Sequence, residues 1–217
     1  MGMEAILFDL DGTLVDTSTM LHAAYEDVLT ENGLSYEKNQ INGLIGMGLV
    51  PIYQKLSGDD ERGLELAEQH RQHIRSANPR VQLFPGMKEL VIKLADKGLR
   101  LGVVTSAGRP AIERSIVANE IDQFFGTCIT SDDVSRLKPH PEPVEAALKE
   151  LEISPDKAVF VGDSSFDILA GKAAGVRTIG VTWGYGTFGD LETAGANSIV
   201  NDSTELQDTI ESLLSSL

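Results

Sequence analysis

The stretch AILFDLDGTLVD, residues 5–16, joins an apolar run directly to three aspartates. A short apolar run bounded by turn residues is typical of a strand buried in a parallel sheet. Residues two apart in a strand share a face, so Asp9 and Asp11 project to the same side. Ligands of open parallel sheets bind beyond the carboxyl ends of the strands, and Gly12 permits a tight turn there. The stretch therefore predicts a buried strand ending in two functional carboxylates rather than in solvated turn residues.

Further apolar runs repeat this pattern, and each precedes turn residues and a helical pattern. They are LGVV (101–104), AVFV (158–161) and TIGV (178–181). Alternating strands and helices predict an α/β fold with a doubly wound, Rossmann-like parallel sheet.

The segment between Asp16 and Gln82 has helical periodicity and contains no convincing strand. We expect helices over MLHAAYEDVLTENG (20–33) and ERGLELAEQHRQHIRS (61–76), and Phe84-Pro85-Gly86 marks the return to the sheet. The chain is therefore predicted to have a core domain, residues 1–15 and 83–217, and a smaller inserted helical cap domain, residues 16–82.

Composition limits the classes of partner. The chain has 217 residues, 41% of them hydrophobic, which is enough for one α/β domain with a small insertion. A formal net charge of −15, with only 18 lysines and arginines, argues against nucleic-acid binding. The apolar stretches are strand-sized and no signal-peptide pattern is seen, so we expect a soluble, cytoplasmic protein without a membrane partner. The sequence leaves open whether this protein is a monomer or a homodimer. Cys128 is the only cysteine and is expected to be a buried structural thiol.

Polar residues follow the other predicted strands. The hydroxyls and backbone N–H groups of Thr105 and Ser106 can hold phosphate oxygens at the start of the next helix, although Ser106 is equally suited to cap that helix. AVFV leads to Asp163 and Asp167, which can complete a site for Mg²⁺, an ion that prefers oxygen ligands. Ser164 and Asp167 also form an S-x-x-D capping pattern, which leaves a purely structural alternative for Asp167. Between these strands, Lys138 stands in SRLKPHPEP, where prolines stiffen the backbone.

Together these motifs resemble the haloacid dehalogenase-like hydrolase superfamily, and specifically its phosphatases with a helical cap inserted after the first strand. The resemblance covers nearly the whole chain. It rests on DLDGTLVD (9–16), Thr105 after LGVV, Lys138 in LKPHPEP and GDSSFD (162–167). The family's dehalogenases lack the second aspartate of the first motif, so Asp11 favours phosphoryl chemistry.

By this resemblance Asp9 is the nucleophile that forms an aspartyl-phosphate, and Asp11 is the general acid that later becomes the base. The resemblance also implies Mg²⁺ as cofactor. Its expected ligands are the Asp9 side chain, the Asp11 backbone carbonyl and Asp163, with Asp167 acting directly or through water.

The resemblance predicts a magnesium-dependent phosphatase that acts on a small phosphorylated metabolite, with phosphoglycolate favoured. Thr105 and Lys138 match the residues that bind the transferring phosphoryl group. Substrate choice is expected to lie in the cap around GLIGMGLVP (43–51), whose glycines let a loop close over the site. The alternatives are a β-phosphoglucomutase-like mutase, a pyrophosphatase, and a catalytically silent binding protein with the same fold.

Other signals are weaker. GYGTFG (184–189) formally matches a dinucleotide motif, but too little chain follows it, so we expect a loop near the active site. His70 and His73 lie three apart on a predicted cap helix and are expected to be exposed. Arg109 is either a substrate contact or an ordinary surface residue.

Overall fold

The computed structural model describes residues 2–77 and 81–215. Within them the strands are β1 (Ala5–Phe8), β2 (Val15–Asp16), β3 (Gln82–Leu83), β4 (Arg100–Val104), β5 (Phe125–Ile129), β6 (Ala158–Gly162), β7 (Arg177–Val181) and β8 (Ser198–Val200). The α-helices are α1 (Ser18–Glu31), α2 (Lys38–Asn42), α3 (Leu49–Ser57), α4 (Asp60–Ala77), α5 (Met87–Asp96), α6 (Arg109–Ile112), α7 (Glu142–Leu151), α8 (Ser165–Ala173), α9 (Phe188–Ala194) and α10 (Ser203–Ser215). A π-helical turn, Glu113–Val117, continues α6.

Six parallel strands form the central sheet in the order β5-β4-β1-β6-β7-β8. Every residue of β1 is buried, as its continuous apolar run predicts. Ile6 and Phe8 pack on one face with residues of α5 and α10, whereas Ala5 and Leu7 pack on the other face with residues of α7. The sheet is therefore covered by helices on both sides, and the predicted doubly wound α/β fold is confirmed.

Helices α1 to α4 form a unit that we call the helical cap. The two chain segments that connect the helical cap to the core lie side by side. Val15 of β2 pairs antiparallel with Leu83 of β3, so the two connections adjoin. The helical cap has its own apolar cluster, in which Tyr25, Tyr53 and Leu66 are buried. The predicted division into two domains at residues 16 and 82 stays a prediction.

Some local expectations fail. His70 is buried rather than exposed, because it packs against Tyr25 and its Nδ1 lies 2.9 Å from the Tyr53 hydroxyl oxygen. Cys128 is only half-buried, in β5, a strand that the sequence pattern did not predict. Burial raises the pKa of the Cys128 thiol to about 11, so it stays protonated at neutral pH. In the described part of the chain, none of the helices is both long and apolar enough to cross a membrane.

Candidate active site

The polar groups predicted at strand ends lie along one edge of the sheet. Asp9 follows β1, Thr105 follows β4 and Asp163 follows β6, and these three strands are neighbours. The Asp9 N–H donates to the Val161 carbonyl at 2.8 Å, and the Thr105 N–H donates to the Ile129 carbonyl at 2.9 Å. These hydrogen bonds extend the strand ladders by one residue, and so they fix both side chains at the sheet edge.

Three carboxylates converge at this edge. Asp9, Asp163 and Asp167 each offer an oxygen within 4.8 Å of the others, and all three side chains are buried. Burial raises the pKa of Asp9 and of Asp163, and the charge of the neighbouring Asp167 raises both further. The cluster is thus a set of hard oxygen donors whose negative charges destabilise one another.

Lys138 supplies the ammonium group of this cluster. Its Nζ lies 2.5 Å from Asp9 Oδ1 and 2.5 Å from Asp167 Oδ1, and it also donates to the Val104 carbonyl at 3.3 Å. Burial lowers the pKa of Lys138, but the two carboxylates outweigh burial and raise it above its usual range. One ammonium against three carboxylates leaves the buried cluster short of positive charge, and a divalent cation with oxygen ligands suits this deficit.

Asp167 uses its two oxygens differently. Oδ1 accepts from Lys138, whereas Oδ2 accepts from the Ser164 N–H at 3.0 Å and from the Ser164 hydroxyl at 2.5 Å. Ser164 and Asp167 therefore form the capping box that begins α8. Asp167 therefore caps α8 and also belongs to the charged cluster, so the structural explanation of this residue does not exclude a place in the site.

Asp163 is oriented by two loops. Its Oδ1 accepts from the Thr13 hydroxyl at 3.1 Å, and its Oδ2 accepts from the Tyr185 N–H at 2.7 Å. Gly12 adopts φ +86°, and a Cβ at this position would lie 2.4 Å from Asp163 Oδ2, so only glycine fits the turn. Tyr185 belongs to the glycine-rich loop 184–189, which therefore lies beside the carboxylate cluster. The hydroxyl oxygen of Tyr185 is 3.0 Å from the hydroxyl oxygen of Thr17.

Asp11 stands apart from the three carboxylates. Burial raises the pKa of the Asp11 carboxyl, while a hydrogen bond from Thr17 and the charges of Arg114 and Lys138 oppose that shift. Among the residues described, its side chain does not join the carboxylate cluster. Asp11 is therefore placed beside the cluster as a carboxyl group with an increased tendency to hold a proton.

A cavity of about 520 Å³ lies between the sheet edge and the helical cap. Its core side includes Asp9, Asp11, Thr105, Ser106 and Lys138, and its cap side includes Leu21, Tyr25, Ile45, Gly46, Gly48 and His70. The Ser106 hydroxyl donates to the Gly46 carbonyl at 2.7 Å. Ser106 thus joins core and cap across the cavity instead of capping α6, whose N-terminal flanking residue is Gly108.

Two arginines of one helical segment point to different surroundings. Arg109, the candidate noted in the sequence, donates to Asp133 Oδ2 at 2.6 Å and to the Cys128 carbonyl at 3.0 Å, and it does not line the cavity. Arg114 does line the cavity, although no motif of the sequence singles it out. The only signal for Arg114 was its place in the helical segment after the strand end that carries Thr105, and that signal is common.

Comparison with known proteins agrees with this geometry. A family model described as haloacid dehalogenase-like hydrolase matches residues 6–181. Pyrophosphatase PpaX of Oceanobacillus iheyensis is 33% identical over 207 residues, covering 95% of this chain and 96% of that protein. PpaX of Bacillus anthracis is 31% identical over 208 residues, covering 95% of each chain.

Solved structures are similar over the same span. A hydrolase from Pseudomonas syringae has a TM-score of 0.90 at 29% identity, covering 98% of this chain and 100% of its own. A protein from Haemophilus somnus, described as a predicted phosphoglycolate phosphatase, has a TM-score of 0.83 at 25% identity, covering 95% and 97%. The chain therefore belongs to the haloacid dehalogenase-like hydrolase family, and the prediction of a phosphatase enzyme with this fold is confirmed.

Proposed function

We propose that this enzyme hydrolyses a small phosphorylated metabolite, with Mg²⁺ as cofactor and Asp9 as nucleophile. The observation that carries the proposal is the convergence of Asp9, Asp163, Asp167 and Lys138 in one buried cluster, of which Asp9 and Lys138 line the cavity. The same proposal includes three further points. The partner is a metabolite and neither a nucleic acid nor a membrane, the protein is cytoplasmic, and it is a monomer or a homodimer.

The chemistry assigned to this chain's residues has two steps. An Asp9 carboxylate oxygen bonds to phosphorus while the bond from phosphorus to the leaving oxygen breaks, and Asp11 donates its proton to that oxygen. Asp11 then accepts a proton from water, whose oxygen attacks the aspartyl-phosphate and releases phosphate and Asp9. The raised pKa of Asp11 supports its role in the first step, because the carboxyl must hold a proton near neutral pH.

Groups around Asp9 are suited to hold the phosphoryl oxygens. The Thr105 hydroxyl oxygen accepts from the Ala107 N–H at 3.0 Å, and its own proton has no acceptor among the residues described. That proton is available to a phosphate oxygen, and the Lys138 ammonium beside Asp9 would donate to a phosphate oxygen in exchange for one of its three present hydrogen bonds. Because the Ser106 hydroxyl is bound to Gly46, we assign the phosphate contact of Ser106 to its backbone N–H.

The carboxylate cluster fits Mg²⁺ by its donor chemistry and its missing positive charge. The side chains of Asp9, Asp163 and Asp167, with the Asp11 backbone carbonyl, would hold the ion. When bound, the ion neutralises charge on the phosphoryl group and reduces its repulsion from the carboxylates.

Two substrates, phosphoglycolate and pyrophosphate, each have specific support. Phosphoglycolate is favoured by the motif pattern, and the solved structure from Haemophilus somnus bears that description. Pyrophosphate is favoured by the relatives that are 31–33% identical and are named pyrophosphatase. A phosphosugar mutase receives less support, because the cap side of the cavity offers mainly apolar side chains and glycines instead of polar groups for a sugar.

The test measures phosphate release from phosphoglycolate, pyrophosphate and ethyl phosphate, with Mg²⁺ and with a chelator. We expect hydrolysis that the chelator abolishes and that added Mg²⁺ restores. Asp9→Asn should lower kcat by at least about 10³-fold, whereas Asp60→Asn, at an exposed position of α4, should leave it unchanged. Unaltered turnover in Asp9→Asn would contradict the mechanism, and phosphate transfer without release would favour a mutase.

A further inference from the structure

Arg114 lies in an unusual part of the chain, the π-helical turn Glu113–Val117. π-helical turns are rare and occur frequently at functional sites. Within the described residues, Arg114 Nε and Ser115 Oγ are buried in this turn without a hydrogen-bond partner. The recorded hydrogen bond of the Arg114 guanidinium is a long one, from Nη1 to the Pro110 carbonyl at 3.5 Å.

The missing partner is notable in a chain with 33 acidic and 18 basic residues. Other cations that line the cavity are paired, Arg71 and Arg75 with Glu68, and Lys138 with the carboxylate cluster. In the part of the chain that the structure describes, no carboxylate lies within 4.0 Å of the Arg114 guanidinium. A buried guanidinium Nε that is left without an acceptor loses hydration and gains no bond in return.

Arg114 also lines the cavity that contains Asp9. It shares the cavity with Asp9 and Asp11 from the core and with His70 from the helical cap. A substrate that fills this cavity from Asp9 towards the helical cap would therefore meet the Arg114 side chain.

We propose that Arg114 is a specificity-determining residue that binds a second anionic group of the substrate, a carboxylate or a phosphate, while Asp9 attacks the phosphoryl group. The inference rests on the proposed function for its catalytic part. A guanidinium presents paired donors to carboxylate and phosphate alike. Both phosphoglycolate and pyrophosphate carry such a second group, whereas ethyl phosphate carries none.

Kinetics with Arg114→Met test the proposal. We expect kcat/KM for phosphoglycolate or pyrophosphate to fall about 10- to 100-fold, the range of a charged hydrogen bond, while kcat/KM for ethyl phosphate changes less than about threefold. Arg114→Lys should recover part of the loss, because it keeps the charge. Arg109→Met, in the same helical segment but outside the cavity, is the matched control and should keep the wild-type preference.

Binding gives a second measurement that does not require turnover. With Mg²⁺ present, the wild-type protein should bind methylenediphosphonate or phosphonoacetate more tightly than methylphosphonate, and Arg114→Met should lose this preference. The ligand that binds more tightly shows whether the second group is a phosphate or a carboxylate.

The outcomes separate the two proposals. Equal losses on all three substrates in Arg114→Met, or an unchanged binding preference, would overturn the role of Arg114 and leave the phosphatase mechanism standing. Absence of Asp9-dependent hydrolysis of every substrate, with the binding preference intact, would overturn the mechanism and keep Arg114 as an anion-binding residue. Arg114→Lys serves both measurements if Arg114→Met does not fold.

Discussion

Replacement of Lys138 by methionine tests the charge balance of the carboxylate cluster. The Lys138 side chain is 1% exposed and lies 2.5 Å from two carboxylates that are 6% and 1% exposed. Methionine has a similar volume, so the substitution removes charge without leaving a large cavity. Asp9 and Asp167 would then be buried without their ammonium partner, next to a third carboxylate.

The structure provides a comparison for the magnitude. Removing one partner of a buried ion pair costs about 3–5 kcal/mol, because the remaining charge is uncompensated. Lys157 makes an ion pair with Glu4 at the same N–O distance, 2.5 Å, but these side chains are 24% and 45% exposed. Lys157→Met should therefore lower the free energy of unfolding by only about 0.2–1 kcal/mol.

The assay is urea unfolding at pH 8 in the presence of a chelator, followed by circular dichroism and tryptophan fluorescence. We expect the unfolding midpoint of Lys138→Met to fall by about 1–2 M, if the slope is near 3 kcal/mol per M. A loss for Lys138→Met no greater than that for Lys157→Met would refute the claim that Lys138 compensates a buried negative cluster.

Two further predictions concern the turn after β1 and the helical cap. Gly12→Ala should abolish Mg²⁺-dependent activity, because the added Cβ would displace Asp163. The control is Gly33→Ala, at φ +67° with no atom within 4 Å of the added Cβ, which should lose about 1–2 kcal/mol of stability and keep its activity. An active Gly12→Ala enzyme would contradict the packing argument. Burial lowers the pKa of His70 to about 3 in the folded protein, below the ordinary histidine value of 6.5 that holds in the unfolded chain. Between pH 7 and 5 the unfolded chain therefore binds a proton that the folded protein does not bind, and the free energy of unfolding should fall by about 2 kcal/mol as the pH is lowered. His70→Gln should lose that part of the pH dependence in urea titrations, and an unchanged pH profile would argue against a neutral buried imidazole.

The strands that could be predicted are those with continuous apolar runs. β1, β4, β6 and β7 are buried along nearly their whole length, and burial on both faces of a sheet demands such runs. β5 lies at the edge of the sheet with a mixed burial pattern, because Gly126 is exposed and Cys128 half-buried. β8 has three residues, too few for a periodic signal.

Within the site, the residues that could be predicted are those that directly follow a strand, because a parallel sheet brings the carboxyl ends of its strands to one edge. Asp9, Thr105 and Asp163 are of this kind, and their roles stay predictions. Contacts between core and helical cap are another matter. The bond from Ser106 to Gly46 and the burial of His70 depend on how the cap helices pack, and local pattern does not record this packing.

Asp167 ties the start of a helix to the electrostatics of the carboxylate cluster. One of its oxygens holds the first turn of α8 and the other holds Lys138, so a single side chain anchors a backbone segment and a buried ammonium. Any replacement at this position alters both at once, including asparagine, which keeps the shape but loses the charge. The requirements of the helix start and those of the charged cluster therefore fall on the same residue and cannot be changed separately.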